Sequence, residues 1–329
     1  EKEDRLMAGV ILFRPAYSTD SRSTPTIPWG VLYVAGPLLE RGHDVHIIDE
    51  AVTPDYRERL TSLLAEVKPI AVGVSAMTGM QIKFGLEFSR LVRESSEAAI
   101  VWGGIHPTLL PEQTCQHDLV DYVVAGEGEE AFLELVAALD RKRPTDDIPG
   151  VFTCRNGDVI GKRREGFLDF AALVEPPFEL LDMPRYICAR PDLGAERYSE
   201  VCTSRGCVHR CGFCYIQAVH GSKWRALEPD AVVARVADFA RRFQVDCVLF
   251  REDNFFVDRN RVEAVARGLV DRKLGIQWVG SCRINYFARY STEFLDLLKE
   301  SGCAMLTFGV ESGSNRVLDF IQKDITAEM

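Results

Sequence analysis

Residues 70–104 read IAVGVSAMTGMQIKFGLEFSRLVRESSEAAIVWGG, and this stretch decides the fold. Two short β-branched runs, 70–75 and 99–102, flank a helical pattern over 79–95. Strand, helix and strand in that order make parallel neighbours joined by a crossover. The same alternation extends outward through the first 140 residues, with strands expected at 8–13, 44–48, 70–75, 99–102 and 121–125. Helices are expected near 30–41, 55–67, 79–95 and 128–140. The predicted fold class is α/β, opening with a five-stranded, doubly wound domain over residues 1–143. Ligands of such sheets bind beyond the carboxyl ends of the strands.

Those strand ends carry distinctive loops. Residues 14–28, RPAYSTDSRSTPTIP, exceed the median connection of roughly 4 to 6 residues, which marks a functional loop. The others are Ser75-Ala76-Met77-Thr78-Gly79, Gly103-Gly104-Ile105-His106-Pro107 and Gly126-Glu127-Gly128-Glu129. Glycines there let a ligand approach the backbone, so Gly103, Gly104, Gly126 and Gly128 are candidate ligand contacts. A dinucleotide fits poorly, because the 14–28 loop contains no glycine to seat a pyrophosphate. Gly126-x-Gly128-x-x-Ala131 follows the last strand instead, and Glu127, Glu129 and Glu130 would repel a diphosphate there.

Residues 144–197 change character: a charged, proline-bearing start leads into the hairpin VFTCRNGDVIG, whose Asn156-Gly157 suits a tight turn, and then into an irregular linker. From 198 to 329 the alternation resumes, with strands at 198–203, 245–250, 276–281 and 304–310 and helices at 229–243, 259–272, 291–301 and 314–321. Val232, Val233, Val236, Phe239, Ala240 and Phe243 form one apolar stripe on the first of these helices. Four βα units make part of a (β/α) barrel, and the expectation is of a chain truncated at its C-terminus.

Ten cysteines are present, and three of them crowd into TSRGCVHRCGFCYIQA, residues 203–218, in the loop after a strand. Cys207, Cys211 and Cys214, with three and then two residues between them, can converge on one inorganic centre, zinc or iron with sulfide. A structural zinc wants four protein ligands, and neither a second CxxC pair nor a well-placed His209 supplies them. Further charged groups end the later strands: Arg251-Glu252-Asp253-Asn254, Ser281-Cys282-Arg283 and Gly309-Val310-Glu311-Ser312-Gly313-Ser314. That end is where a βα barrel keeps its chemistry. The plainer reading of these charges is solvated loops and a helix cap at Ser314.

Cys207-xxx-Cys211-x-Phe213-Cys214 resembles the cluster loop of radical S-adenosylmethionine (SAM) enzymes. The resemblance implies a 4Fe-4S cluster held by Cys207, Cys211 and Cys214, with one iron left open to chelate SAM and cleave it to a 5'-deoxyadenosyl radical. It also implies that Glu252, Asp253 and Glu311 contact the SAM amine or ribose, Arg283 its carboxylate and Phe213 its adenine. Pro28-Trp29-Gly30, VGVSAM, WGGIHPT and VDYVVAGEGEEAFLEL resemble the Rossmann-like cobalamin-binding domain fused to many such proteins. By that resemblance Gly103-Gly104 packs against the nucleotide tail of the corrin and Ser75 hydrogen-bonds it. One departure stands out: the DxHxxG motif that supplies a lower cobalt ligand is absent from AYSTDSRSTP, residues 16–25.

The resemblance implies a cobalamin-dependent radical SAM enzyme, above all a methyltransferase acting on an unactivated carbon or phosphorus centre. Oxidative cyclisation, ring contraction or rearrangement, and a non-catalytic cofactor-binding fragment, are the alternatives. A small-molecule substrate and a flavodoxin- or ferredoxin-type electron donor follow as partners. Lys+Arg 39 against Asp+Glu 49, a net charge of -10, lacks the basic footprint of a nucleic-acid binder. No apolar run reaches the roughly 18 to 20 residues of a membrane span, and the expected location is cytoplasmic.

Overall fold

The computed structural model describes residues 8–18 and 25–329. The chain divides into two compact units, one running through Leu168 with Leu173–Asp182, the other made of Asp169–Ala172 and Met183–Met329.

The first unit alternates β1 (Gly9–Arg14), α1 (Trp29–Glu40), β2 (Asp44–Asp49), α2 (Tyr56–Val67), β3 (Ala71–Ser75), α3 (Met80–Ser95) and β4 (Ala99–Gly103). Two one-turn helices, α4 (Ile105–Leu109) and α5 (Pro111–Cys115), precede β5 (Tyr122–Val124) and α6 (Gly128–Asp140). The expected elements are all present to within about two residues, the usual uncertainty of element ends. The sheet itself is wider than expected. The hairpin β6 (Val151–Arg155) and β7 (Asp158–Gly161), placed by the sequence in a separate linker, adds to it, giving seven strands in the order β2-β1-β3-β4-β5-β6-β7. β1 to β5 pair in parallel, whereas β6 pairs antiparallel with β5 through Val123↔Phe152 and Val124↔Val151. Asn156 and Gly157 adopt φ of 54° and 87°, which turns the hairpin as their sequence suggests. The order reverses between β1 and β3, and a doubly wound sheet opens its ligand crevice at such a switch point.

Apolar strand residues bury on both faces of this sheet. Phe13 stacks on Phe88 with centroids 3.7 Å apart, and Trp102 packs under α3, its indole donating to Ser89 Oγ at 3.1 Å.

The second unit holds β8 (Cys188–Arg190), β9 (Ala195–Val201), β10 (Ser204–Arg205), α7 (Ile216–His220), β11 (Arg225–Ala226), α8 (Pro229–Phe243), β12 (Cys247–Phe250) and α9 (Arg259–Asp271). It continues with β13 (Gln277–Cys282), α10 (Ile284–Phe287), α11 (Thr292–Glu300), β14 (Cys303–Phe308) and α12 (Asn315–Phe320). Its sheet runs β14-β13-β12-β9-β8, parallel except for the antiparallel edge strand β8. Four parallel βα units are thus laid side by side, and every strand end after β9 points its loop to one edge. Val232, Val233, Val236 and Phe239 of α8 are buried and Ala240 and Phe243 half-buried, so the predicted stripe faces the sheet. Phe250, Phe255, Phe256 and Trp278 form the aromatic core beneath those strand ends.

Candidate cofactor-binding sites

The cysteine loop is fixed at both ends. β10 and β11 pair antiparallel through Ser204↔Ala226 and Arg205↔Arg225, which closes the segment between them into a loop. Gly206 enters it with φ of 84°, and a Cβ there would overlap the Lys223 carbonyl oxygen, so glycine is required. Its amide donates to Asp253 Oδ2 at 2.8 Å. Inside the loop Cys214 N donates to Cys211 O at 3.0 Å, and Gly212 N reaches Ile321 O at 2.8 Å. The three thiols lie within electrostatic reach of one another: burial pushes the Cys214 thiol up, and the neighbouring Cys211 and Cys207 push it further.

Two of the sulfurs meet N–H donors from neighbouring strand ends. Arg283, at the end of β13, donates from Nη1 to Cys211 Sγ at 3.2 Å. Asn254, after β12, donates from Nδ2 to Cys207 Sγ at 3.7 Å. Thiolates surrounded by donors suit a metal-bound state. Among the described residues no three His, Cys, Asp or Glu side chains close on a single metal ion. Each thiol of an iron–sulfur cube binds a different iron, so the donor set fits a cluster.

The acidic pair after β12 builds the floor of this loop. Glu252 accepts from Thr203 N at 3.0 Å and from the hydroxyls of Thr203 and Ser204. Burial raises its carboxyl pKa, against the pull of the nearby Arg261 and these hydrogen bonds. Arg261 is itself buried and donates to Leu227 O at 2.9 Å and to Thr203 Oγ1 at 2.9 Å. Asp253 is exposed apart from its bond to Gly206.

The segment after α12 returns to the same place. Arg283 donates from Nη2 to the Lys323 carbonyl and from Nε to Asn285 Oδ1 at 3.3 Å, which commits the guanidinium within the protein. Lys323, 7% exposed, pairs with Glu311 at 2.8 Å and sits 5.6 Å over the Phe213 ring, which is 56% exposed. Glu311 has φ of 61°. His209 bonds Tyr286 Oη at 2.5 Å and faces Asp324 at 3.6 Å; burial, then Arg283, lowers its pKa. The sequence-predicted Cys207, Cys211, Cys214, Phe213, Glu252, Asp253, Arg283 and Glu311 are therefore brought to one edge of the second unit. Asn254, quoted in the sequence only as part of the strand-end run 251–254, joins them, and so do Arg261, Tyr286 and Lys323, unannounced because none belongs to a recognisable spacing. Ser314 occupies the N-cap position of α12 but makes no side-chain capping bond.

In the first unit the candidate residues also cluster at strand ends. Ala76 N donates to Gly103 O at 2.9 Å and His106 N to Ala76 O at 3.0 Å, which ties the loops after β3 and β4 together. Gly104 has φ of 92°, and a Cβ there would come 2.9 Å from Ala76 N and 3.0 Å from Ser75 Oγ. Its smallness therefore serves loop-to-loop packing, with half-buried Ser75 against it. Gly126 differs: φ is 94° and nothing lies within 4 Å of a Cβ. Its amide donates to Thr108 Oγ1 at 2.9 Å. Gly103 and Gly128 flank it half-exposed, and a Cβ on them would meet Val124 O at 3.5 Å and Val34 Cγ2 at 3.2 Å, so at this edge Gly126 is the one of the three whose bare backbone faces open space. Beneath the end of β1, Arg14 and Asp49 form a buried pair at 2.5 Å, with Thr26 Oγ1 3.0 Å from Arg14. Part of AYSTDSRSTP, where the cobalt-ligating motif is missing, lies outside the described residues.

Comparison with known proteins matches residues 19–136 to the B12 binding domain and residues 201–329 to the radical SAM superfamily. An uncharacterized methyltransferase of Pyrococcus horikoshii is 29% identical over 98% of this chain and 70% of its own length. The anaerobic magnesium-protoporphyrin IX monomethyl ester cyclase of Rubrivivax gelatinosus is 26% identical over 92% of the chain and 54% of its own. The solved structure of the radical SAM methyltransferase TsrM from Kitasatospora setae, with cobalamin and a [4Fe-4S] cluster bound, superposes with a TM-score of 0.78 at 19% identity. It covers 98% of this chain, which spans 62% of that one. The chain belongs to the radical SAM superfamily, in the branch that carries a B12-binding domain ahead of the radical SAM domain. It spans between 54% and 70% of the length of these relatives.

Proposed function

We propose that this chain serves a cobalamin-dependent radical SAM methyltransferase acting on a small molecule at an unactivated carbon or phosphorus centre. The observation that carries the reading is the loop that gathers Cys207, Cys211 and Cys214 and aims Arg283 and Asn254 at two of their sulfurs. When bound, the cluster supplies one electron at an open iron and the corrin supplies a methyl carrier. Cys207, Cys211 and Cys214 hold the cluster; Glu252, Asp253 and Gly206 shape the loop that presents them. Asp253, Glu311, Lys323 and the Phe213 ring stand where a charged sulfonium amino acid and its adenine would be received. At the other unit, Ser75, Gly103, Gly104, Gly126 and Gly128 form the edge for cobalamin.

An external one-electron donor of flavodoxin or ferredoxin type is needed, because none of the chain's residues supplies that electron. Ten free thiols and an oxygen-sensitive centre suit a reducing compartment, the cytoplasm. Among the described residues no helix is long and apolar enough to cross a membrane. The cyclase relative supports a second reading, a ring-forming radical reaction with the same cofactors.

Anaerobic reconstitution, iron and cobalt analysis, and assay of 5'-deoxyadenosine and of methyl transfer from labelled SAM test the proposal. Cys207→Ala, Cys211→Ala and Cys214→Ala should each drop iron to background. Wild-type iron content in these variants would remove the cluster from the loop. 5'-Deoxyadenosine formed without methylated product would favour the cyclase-like reading.

A further inference from the structure

The contacts on the cysteine sulfurs are unequal to any simple packing need. Asn254 and Arg283 are both buried, at 3% and 9% exposure, and come from the ends of two different strands, β12 and β13. Each is held by other bonds before it reaches sulfur. Asn254 Oδ1 accepts from Phe256 N at 3.2 Å, which points the amide nitrogen at Cys207 Sγ. Arg283 is anchored through Asn285 and the Lys323 carbonyl, which leaves Nη1 directed at Cys211 Sγ. Burying a guanidinium against a sulfur is costly unless that sulfur carries negative charge.

We infer that Arg283 and Asn254 are positioning residues that set the reduction potential of the cluster, rather than ligands of it or anchors for its substrate. The inference rests on Cys207, Cys211 and Cys214 being the cluster ligands. Reduction adds one negative charge to the cluster, and that charge spreads onto the cysteine sulfurs. An N–H donor on sulfur stabilises the charged, reduced form more than the oxidised form, and so raises the potential. A fixed cation adds to this by direct attraction in a site of low dielectric. Arg283 is thereby expected to act more strongly than the neutral Asn254, and the two effects should nearly add because they fall on different sulfurs.

The test is an EPR-monitored redox titration of the anaerobically reconstituted chain, without SAM, comparing wild type with Arg283→Met, Arg283→Lys, Asn254→Asp and the Arg283→Met/Asn254→Asp pair. Iron content and circular dichroism confirm loading and folding. Arg283→Met should lower the ratio of reduced to oxidised cluster at a fixed poise about tenfold, or about 59 mV for a one-electron couple. Arg283→Lys, which keeps the cation, should fall between. Asn254→Asp, close to isosteric but with a carboxylate in place of the donor, should shift in the same direction, and the pair further than either alone. Iron-loaded Arg283→Met and Asn254→Asp with wild-type potentials would overturn the inference. Loss of iron from every variant would overturn it too, by making the contacts structural. A wild-type chain that takes up no iron would instead sink the ligand assignment itself.

Discussion

Replacing Gly206 by alanine should disable the cysteine loop without unfolding the chain. Holding a residue with a side chain at φ of 84° costs roughly 1–2 kcal/mol. The added methyl also overlaps the Lys223 carbonyl, which is main chain and cannot rotate aside. Relief requires shifting the strand entry at Lys223, and the pairing of Ser204 with Ala226 and Arg205 with Arg225 goes with it. At about 1 kcal/mol for each of two lost hydrogen bonds, the total is about 3–4 kcal/mol. The loss is local to residues 204–226, so hydrogen exchange read by mass spectrometry is the appropriate assay. Protection of that segment should fall about 10²- to 10³-fold, at roughly 1.4 kcal/mol per decade, while the sheet of the first unit keeps its protection. Iron uptake should fall in parallel. Gly212→Ala is the control: in the same loop its Cβ would meet Ile321 O at an ordinary 3.7 Å and its amide bond is retained. Equal behaviour of the two variants, or wild-type protection in Gly206→Ala, would refute the claim that this glycine gates the loop.

Glu252→Gln should change how stability depends on pH. Burial raises the folded pKa of Glu252 above its unfolded value, so its contribution is complete below the unfolded pKa and is lost as pH rises through the folded one. The stability advantage of wild type over the variant, from urea melts, should therefore be larger at pH 5 than at pH 8; a constant or reversed difference contradicts the assignment. Arg14→Met takes from Asp49, 2% exposed, its buried guanidinium partner, leaves it the Ala51 amide at 3.1 Å, and should cost about 3–5 kcal/mol in a urea melt; a cost under 1 kcal/mol would show that the remaining hydrogen bonds suffice for the carboxylate. Gly104→Ala should destabilise by about 2–3 kcal/mol through backbone strain plus displacement of Ala76. Gly126→Ala, with open space ahead of it, should cost only the roughly 1–2 kcal/mol of its left-handed backbone and yet weaken cobalamin retention on gel filtration. Unchanged retention would mean that Gly126 faces solvent.

Helices with an apolar stripe were legible in the sequence: α6 and α8 occupy the predicted 128–140 and 229–243. Periodicity over a dozen residues outweighs local noise. β8, β10 and β11 were not legible, because pairings of two or three residues show no period, yet β10 and β11 frame the cysteine loop. The hairpin at 151–161 was recognised from Asn156-Gly157, but its partner was not: turn chemistry fixes a register and says nothing of which sheet edge the strands join. At the site, spacing singled out the three cysteines, which one loop gathers between β10 and β11. Charge identified Glu252, Asp253, Arg283 and Glu311 without showing what each one touches. Glu252 turns inward to Thr203 and Ser204, and Arg283 turns to a sulfur, since those directions depend on side-chain packing across strands. Lys323 follows a helix end with no motif around it, and only the return of its segment brings it to Glu311.

The remaining thiols bear on why, of ten cysteines, Cys207, Cys211 and Cys214 are the ones proposed as the ligand set. Iron binds thiolate, so a cysteine competes for it in proportion to the ease of losing its proton. Burial pushes Cys202, Cys247 and Cys303 up to about 12 and Cys282 up to about 11. At neutral pH a thiol near pKa 12 is ionised in roughly one molecule in 10⁵, against a few per cent for an unperturbed one. Cys202 lies only five residues before Cys207, yet its thiol is buried just past β9 and donates to Ser204 O at 3.5 Å rather than being offered to the loop. Cys214 is also raised, first by burial and then by repulsion from Cys211, Asp253 and Cys207; a cationic iron centre between the thiols would turn that repulsion into attraction. The fold thus holds Cys202, Cys247, Cys282 and Cys303 back by burial, while the 207–214 loop crowds three thiols where a metal would neutralise them.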